Sequence, residues 1–373
     1  MKSPKILAVA SAVDLDFRYG CTPAWWQLWK GLHEAGCDLI VTPYRGRPVE
    51  SPWWRTAPNP CYREGEAFAR VRDTVAKLKG DRFIRRAERD PGDTDRWVRE
   101  AVWRWVTPRW ERHLERILER ERDVDAVVVF TVPMSFPEFG GMDSGFNYYF
   151  GADPSEYDLV LSNSEGGLER LRELGARRAE AVFWGADPEL FRPLQVVKET
   201  DVFFYGFGDK FRQEWTEVMV GEPSRRLPNV DFSLGGEDFR GDIGRARLLG
   251  NIPINVFAQA ICASRINLNV TRRAHATVYA SSTSRPFELA MSGATIVSNP
   301  HEGIERWFEP GRELLVVSNA DEATAAYQEL LDDPDRMDEM GRAARERALD
   351  EHTYLHRARR VLELLGVREA VNV

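Results

Sequence analysis

From Thr283 the chain reads Thr-Ser-Arg-Pro-Phe-Glu-Leu-Ala-Met-Ser-Gly, with Arg285 and Glu288 three residues apart. Ser284 is placed to cap a short helix whose first turn holds Pro286, a residue suited to a helix start. The unpaired backbone N–H groups of such a start favour an anion. Gly293 ends the helix. Thr295, Ile296 and Val297 then read as a buried strand, and Asn299 to Gly303 as the loop at its carboxyl end, with His301, Glu302 and Gly303 in it. In open α/β sheets ligands sit at that end. Arg272, Arg273 and His275 lie in the loop just upstream, and Lys210 and Arg212 follow an earlier strand and turn. The planar fork of arginine suits oxyanions. The chemistry on offer is capture of an anion beside a strand exit. Carboxylates offer a second kind: Asp14 and Asp16 flank Leu15 in the loop after the first strand, with Arg18 and Tyr19 close by, and Glu138 and Asp153 fall at later strand exits. Such groups could meet hydroxyls, or one could act as a base.

The elements that would position these groups alternate between strand and helix. Ile6 to Ala10, a helix from Pro23 to Ala35 and a strand from Asp38 to Val41 make the βαβ start of a doubly wound sheet. No Gly-x-Gly-x-x-Gly follows the first strand, so the dinucleotide fingerprint is missing. Pro43 to Pro60 reads as a loop, with Trp53 and Trp54 more suited to the core than to stacking on a ligand. Residues 62–122 read as charged helices with a buried aromatic seam built from tryptophans 97, 103, 105 and 110. Ala126 to Thr131 reads as a fully buried strand, and strands follow at Asn147 to Ala152, Tyr157 to Ser162 and Ala179 to Trp184. The turn-rich Gly185 to Pro193 is the best domain boundary. Beyond it, strands are expected at Asp201 to Tyr205, Val230 to Leu234, Ile266 to Val270 and Leu314 to Val317. Helices close the chain at Ala320 to Leu331, Pro334 to Asp350 and Tyr354 to Leu365. The expected fold is α/β, two Rossmann-like doubly wound domains facing a cleft. The first spans 1–192 with a helical insertion over 62–122, the second 193–353, and the helix from 354 to 373 packs back on the first.

Bulk properties narrow the class. The chain has 373 residues, a net charge of -8 and a pI near 5.5, against a nucleic-acid binder working through bulk charge. Four scattered cysteines, with no Cys-x-x-Cys pair, suggest neither a disulfide framework nor a zinc site and fit a reducing cytoplasm. The apolar run from Ile6 to Val13 is too short to span a membrane.

Several of these pieces, in order, carry a resemblance. Phe203-Phe204-Tyr205-Gly206 with Lys210 and Arg212, Arg285-Pro286-Phe287-Glu288-Leu289-Ala290-Met291-Ser292-Gly293, Glu302-Gly303, Phe308-Glu309-Pro310-Gly311, His352-Thr353-Tyr354 and the Gly185–Pro193 turn together resemble GT-B-fold group 1 glycosyltransferases. The spore-maturation-type branch is nearest in look, and the resemblance runs from about Phe146 to the C-terminus. It implies a nucleotide-diphosphate sugar as donor substrate, no cofactor and no metal, retention at the anomeric carbon, and an unidentified acceptor (small molecule, glycan, lipid or protein). It places Gly206, Lys210, Arg212, Arg272, His275, Ser284, Arg285, Glu288, Glu302 and Gly303 at the donor. It places Asp14, Asp16, Arg18, Tyr19, Glu138 and Asp153 on the acceptor side. Lys210 and Arg212 would stabilise the departing diphosphate, and Asp14 and Asp16 join them as catalytic candidates. The chain departs from the family at Ala280, where a glutamate near the transferred sugar is usual. There the loop is rich in hydroxyls instead: Ser281, Ser282, Thr283 and Ser284. A sugar-nucleotide epimerase, or a non-catalytic protein on the same fold, are the alternatives.

Overall fold

The computed structural model describes residues 3–11, 24–79, 104–130, 153–208 and 211–367. These fall into two compact units. Residues 3–11, 28–79, 104–130 and 361–367 form the first, and 24–27, 153–208 and 211–360 the second.

The first unit is built on a parallel sheet of β1 (Lys5–Ser11), β2 (Asp38–Arg45), β3 (Arg55–Thr56) and β4 (Ala126–Val129), in the order β3-β2-β1-β4. Apolar runs such as Ile-Leu-Ala-Val favour a central strand covered on both faces, and Ile6, Leu7 and Ala8 are fully buried. Among the described strands β4 is the last of the sheet and alternates in exposure, with Val127 and Val129 open to solvent, so the expectation of a fully buried strand there is corrected. The expected loop between Pro43 and Pro60 holds the last residues of β2 and the short β3. Within it Trp54 is buried and its indole N–H donates to Val49 O at 2.9 Å. Helices Tyr62–Lys79 and Thr107–Arg120 lie in the expected helical stretch. Of the expected aromatic seam, Trp105 is 67% exposed and Trp110 partly buried, while Ile117 is buried with Leu7, Ile40 and Ala57. Trp97 and Trp103 lie outside the described residues, as does the expected strand from Asn147 to Ala152.

The second unit centres on a six-stranded, all-parallel sheet: β7 (Thr200–Tyr205), β8 (Phe232–Gly235), β9 (Arg247–Gly250), β10 (Ser264–Asn269), β11 (Thr295–Ser298) and β12 (Leu315–Val316). The spatial order is β12-β11-β10-β7-β8-β9. β9 was not legible as a strand because all four of its residues are exposed. Aromatic and aliphatic side chains of β7, the Ile254–Cys262 helix and the Ser284–Met291 helix close one side, with Phe287, Trp307 and Phe308 at the centre. Val202, Phe204, Leu268, Val297 and Tyr327 pack in a second cluster. A two-stranded sheet of β5 (Val160–Ser162) and β6 (Ala179–Ala181) belongs to this unit. It is tied in through Asn163, whose carbonyl accepts from Ser282 N at 2.9 Å and whose amide donates to Ser282 O at 2.8 Å. The helices Ala320–Asp332, Pro334–Glu351 and Tyr354–Leu365 fall where the sequence places them. Among the described residues no helix is long and apolar enough to cross a membrane.

Candidate functional site

The strand order fixes where a ligand site belongs. From β7 the chain runs outward through β8 and β9, then crosses back so that β10 pairs with the other side of β7. The carboxyl ends of β7 and β10 therefore border the topological switch point, where the connections diverge and leave a crevice. Arg212 spans it. Its Nε donates to Val270 O, just past β10, at 2.8 Å, and its Nη1 to Phe207 O, just past β7, at 3.0 Å. One guanidinium thus holds both exits together and leaves its charge there. Gly206 sits in the same turn because a Cβ would lie 2.8 Å from the Phe204 ring.

Next to it stands a group of polar side chains from the exits of β10 and β11. Asn299 accepts from Thr271 N at 2.7 Å and donates back to Thr271 O at 3.3 Å, locking the two loops. Arg272 is the N-cap residue of a one-turn helix, Arg273–Ala276, where the sequence suggested a loop. His275 Nδ1 pairs with Ser281 Oγ at 2.9 Å. His301 Nε2 donates to the carbonyl of the same Ser281 at 3.0 Å. Burial, then the neighbouring charge of Arg272, holds the pKa of His275 down to about 3, with His301 and Arg212 contributing in the same direction. Burial likewise brings His301 down to about 4, partly offset by its bond to Ser281 O. Both imidazoles are neutral at pH 7, so the positive charge of this corner comes from the two arginines. The histidines serve as hydrogen-bonding groups.

The Ser284–Met291 helix supplies the remaining donor-side residues and corrects the reading of its start. Thr283, not Ser284, is the N-cap, and it makes no side-chain cap bond. Ser284 is instead the first residue of the helix, and Arg285 Nη1 lies 3.0 Å from the Glu288 carboxylate, near enough for an ion pair without hydrogen-bond alignment. Glu288 is only 3% exposed, and burial raises its pKa while Arg285 and Ser284 pull the other way. The Arg285 guanidinium lies 4.3 Å from the Phe257 ring centre and 5.4 Å from that of Tyr205. Cation–π contact and a buried partner make Arg285 part of the packing. Ser281 and Ser282 are also committed: Ser282 Oγ donates to Asn163 O and accepts from Trp184 N.

Gly303 and Glu302 act through the backbone. Glu302 O accepts from Ala280 N at 2.8 Å. Gly303 has φ +82, and a Cβ there would come within 2.5 Å of Ala280 N. Ala280 itself is fully buried with φ +47, left-handed backbone that a non-glycine residue adopts at a cost. Asp153 lies apart from this group, capping the short 3-10 turn Pro154–Glu156 by accepting from Ser155 N at 2.9 Å. Asp14, Asp16, Arg18, Tyr19, Glu138 and Lys210 lie outside the described residues.

Sequence reasoning passed over Thr271 and Asn299, the lock between the exits, and Tyr205 and Phe257, the faces that hold Arg285. Position relative to β10 and β11 could have found the first pair; the second pair reads as ordinary core. Among the described residues no cluster of three His, Cys, Asp or Glu side chains is placed to hold a metal.

Comparison with known proteins bears on the fold and on the second half of the chain. Residues 212–363 match the family described as glycosyl transferase-like. No curated protein sequence matches the chain significantly. Among solved structures, sucrose-phosphate synthase from Thermosynechococcus elongatus aligns with a TM-score of 0.58 at 15% identity, over 97% of this chain and 98% of that one. Anabaena HepE in complex with UDP and glucose gives 0.56 at 12% identity, over 97% and 99%. The E. coli trehalose-6-phosphate protein bound with UDP-2-fluoro glucose gives 0.59 at 11% identity, over 98% and 100%. The chain thus has the GT-B fold, and its second half carries a glycosyltransferase-like domain.

Proposed function

We propose that the chain is a nucleotide-sugar-dependent glycosyltransferase that moves a sugar from a nucleotide-diphosphate donor to an acceptor hydroxyl, with retention and without a metal. The observation that carries this reading is Arg212 bridging the exits of β7 and β10, with Arg272 just past the β10 exit as the N-cap of the next helical turn. In glycosyl transfer the bond from the anomeric carbon to the diphosphate oxygen breaks, and negative charge grows on the diphosphate. Fixed cations and dipoles aimed at that charge stabilise the transition state more than the ground state. Arg212, Arg272 and Lys210 fill this role. The diphosphate also takes the acceptor proton, so no side chain need serve as base. Glu288 accepts from the ribose, and Asp14, Asp16, Arg18, Tyr19, Glu138 and Asp153 are the acceptor-side candidates that the resemblance names. UDP and glucose in HepE, and UDP-2-fluoro glucose in the E. coli protein, support a nucleotide-sugar donor.

The test is a panel of UDP-, GDP-, ADP- and dTDP-glucose, read by thermal shift and then by nucleotide release with and without mixed glycan, lipid and small-molecule acceptors, in EDTA. Acceptor-dependent release in EDTA is expected. Sugar isomerisation without release would make the chain an epimerase. Absence of any nucleotide-induced shift would contradict the reading.

A further inference from the structure

We propose that His301 reads a hydroxyl group of the donor's sugar, accepting from it through Nδ1; this rests on the nucleotide-sugar reading above. The geometry of the ring leads there. A carbonyl oxygen can only accept, so the 3.0 Å contact between Nε2 and Ser281 O puts the proton on Nε2. The other nitrogen of the neutral ring is then a bare lone pair. Nδ1 is buried and has no hydrogen-bond partner, and the whole residue is 5% exposed. Its ring is fixed edge-to-face against Trp307 at 5.1 Å, so it cannot swing out to water without losing that contact. A buried acceptor left unpaired is costly. A second orphan stands on the neighbouring strand exit: the hydroxyl of Thr271, 2% exposed, has no partner either. Asn299 ties the backbone of Thr271 to the loop that carries His301.

The chemistry of these orphans selects their partner. A lone pair repels phosphate oxygens, which are acceptors themselves. It attracts an O–H. Charge for the diphosphate comes from the arginines beside His275, whereas His301 and Thr271 are neutral and match a polyol. Recognition by such a site is strongly discriminating, because a ligand lacking the hydroxyl leaves the buried acceptor unpaired.

The experiment compares binding of a nucleotide diphosphate with that of its glucose conjugate, using whichever nucleotide of the panel binds best. His301→Gln can keep an N–H near the position of Nε2 and so the bond to Ser281, while removing the Nδ1 acceptor. The expected result is unchanged affinity for the free diphosphate and a roughly tenfold loss for the conjugate. Nitrogen-15 NMR of the wild-type imidazoles provides a second readout that needs no variant. An Nδ1 resonance that moves when the glucose conjugate replaces the free diphosphate is expected. Equal loss for both ligands, unchanged affinity for both, or an Nδ1 resonance indifferent to the sugar would overturn the assignment of His301 while the nucleotide reading stands. If wild-type protein binds no member of the panel, the nucleotide reading fails and His301 loses its ligand with it.

Discussion

The two ends of the six-stranded sheet carry polar groups in opposite conditions. At the amino end, Pro193, Lys198, Cys262, Ser264, Gly293 and Thr295 help line a cavity of about 160 Å³. Several of its polar groups are answered inside the protein. Lys198 Nζ donates to Cys262 O at 2.9 Å and to Ser264 O at 2.8 Å, and Cys262 Sγ faces the carbonyls of Arg192 and Ser292. At the carboxyl end, Arg212 and Arg272 sit beside two neutral histidines, and Thr271 Oγ1 and His301 Nδ1 lack partners. The hole and the chemistry are at opposite ends. A cavity whose polar lining is satisfied marks where the packing stops. Unsatisfied polar atoms at a switch point mark where a ligand is expected.

Substitutions can break this contrast. The largest effect is expected at Arg285, whose charge is paired with buried Glu288 and stacked on Phe257. Arg285→Ala leaves that carboxylate buried alone and should cost about 3 kcal/mol of stability in a denaturant titration. The resemblance places Arg285 at the donor, and its packing against Phe257 and Glu288 makes a stability loss the first effect expected. Gly303→Ala comes next. It puts a Cβ against Ala280 N and forces a left-handed backbone on alanine, for roughly 2 kcal/mol, again measured by denaturant unfolding.

The histidines give a smaller, pH-dependent effect. His275 and His352 titrate at about 3 and His301 at about 4 in the folded chain. Burial is the first cause in each case. Unfolded imidazoles take up protons below about pH 6.5 while the folded ones do not. The stability these groups contribute is whole above pH 6.5 and drains as pH falls toward their folded values. Each should remove about 1.4 kcal/mol per pH unit within that window. His301→Gln should flatten the slope by one histidine's share, as read from unfolding curves at pH 6.5, 5.5 and 5.0. An unchanged slope would mean that His301 is not buried as a neutral ring.

Much of this was readable from the chain. Apolar runs gave away β7 and β11, the alternation of Ile266 and Leu268 with Asn267 and Asn269 gave away β10, and Gly293, with φ +71, ends its helix as glycine should. What failed has physical causes. β4 has the residue types of a central strand but ends the sheet among the described strands, and composition does not record neighbours. A serine before a helical pattern looks like a cap, yet the extended backbone of Thr283 takes that position and Ser284 already belongs to the helix. Arg285 has the type and place of a phosphate clamp, and only the fold reveals the rings of Tyr205 and Phe257 beside it. Arg212 stands out in the sequence by its type and place, but its bonds to Phe207 O and Val270 O depend on two strand exits that are far apart in sequence.

The central claim is that the anion site lies at the carboxyl end of the sheet and not in the amino-end cavity. Calorimetric titration of the best-binding nucleotide diphosphate into Arg272→Ala and Lys198→Met tests it directly. Both variants delete one cation from the same unit, at opposite ends of one sheet. The expected result is at least a tenfold loss of affinity, about 1.4 kcal/mol, for Arg272→Ala, with Lys198→Met binding as the wild type does. Loss of affinity in Lys198→Met with Arg272→Ala unaffected would contradict the account.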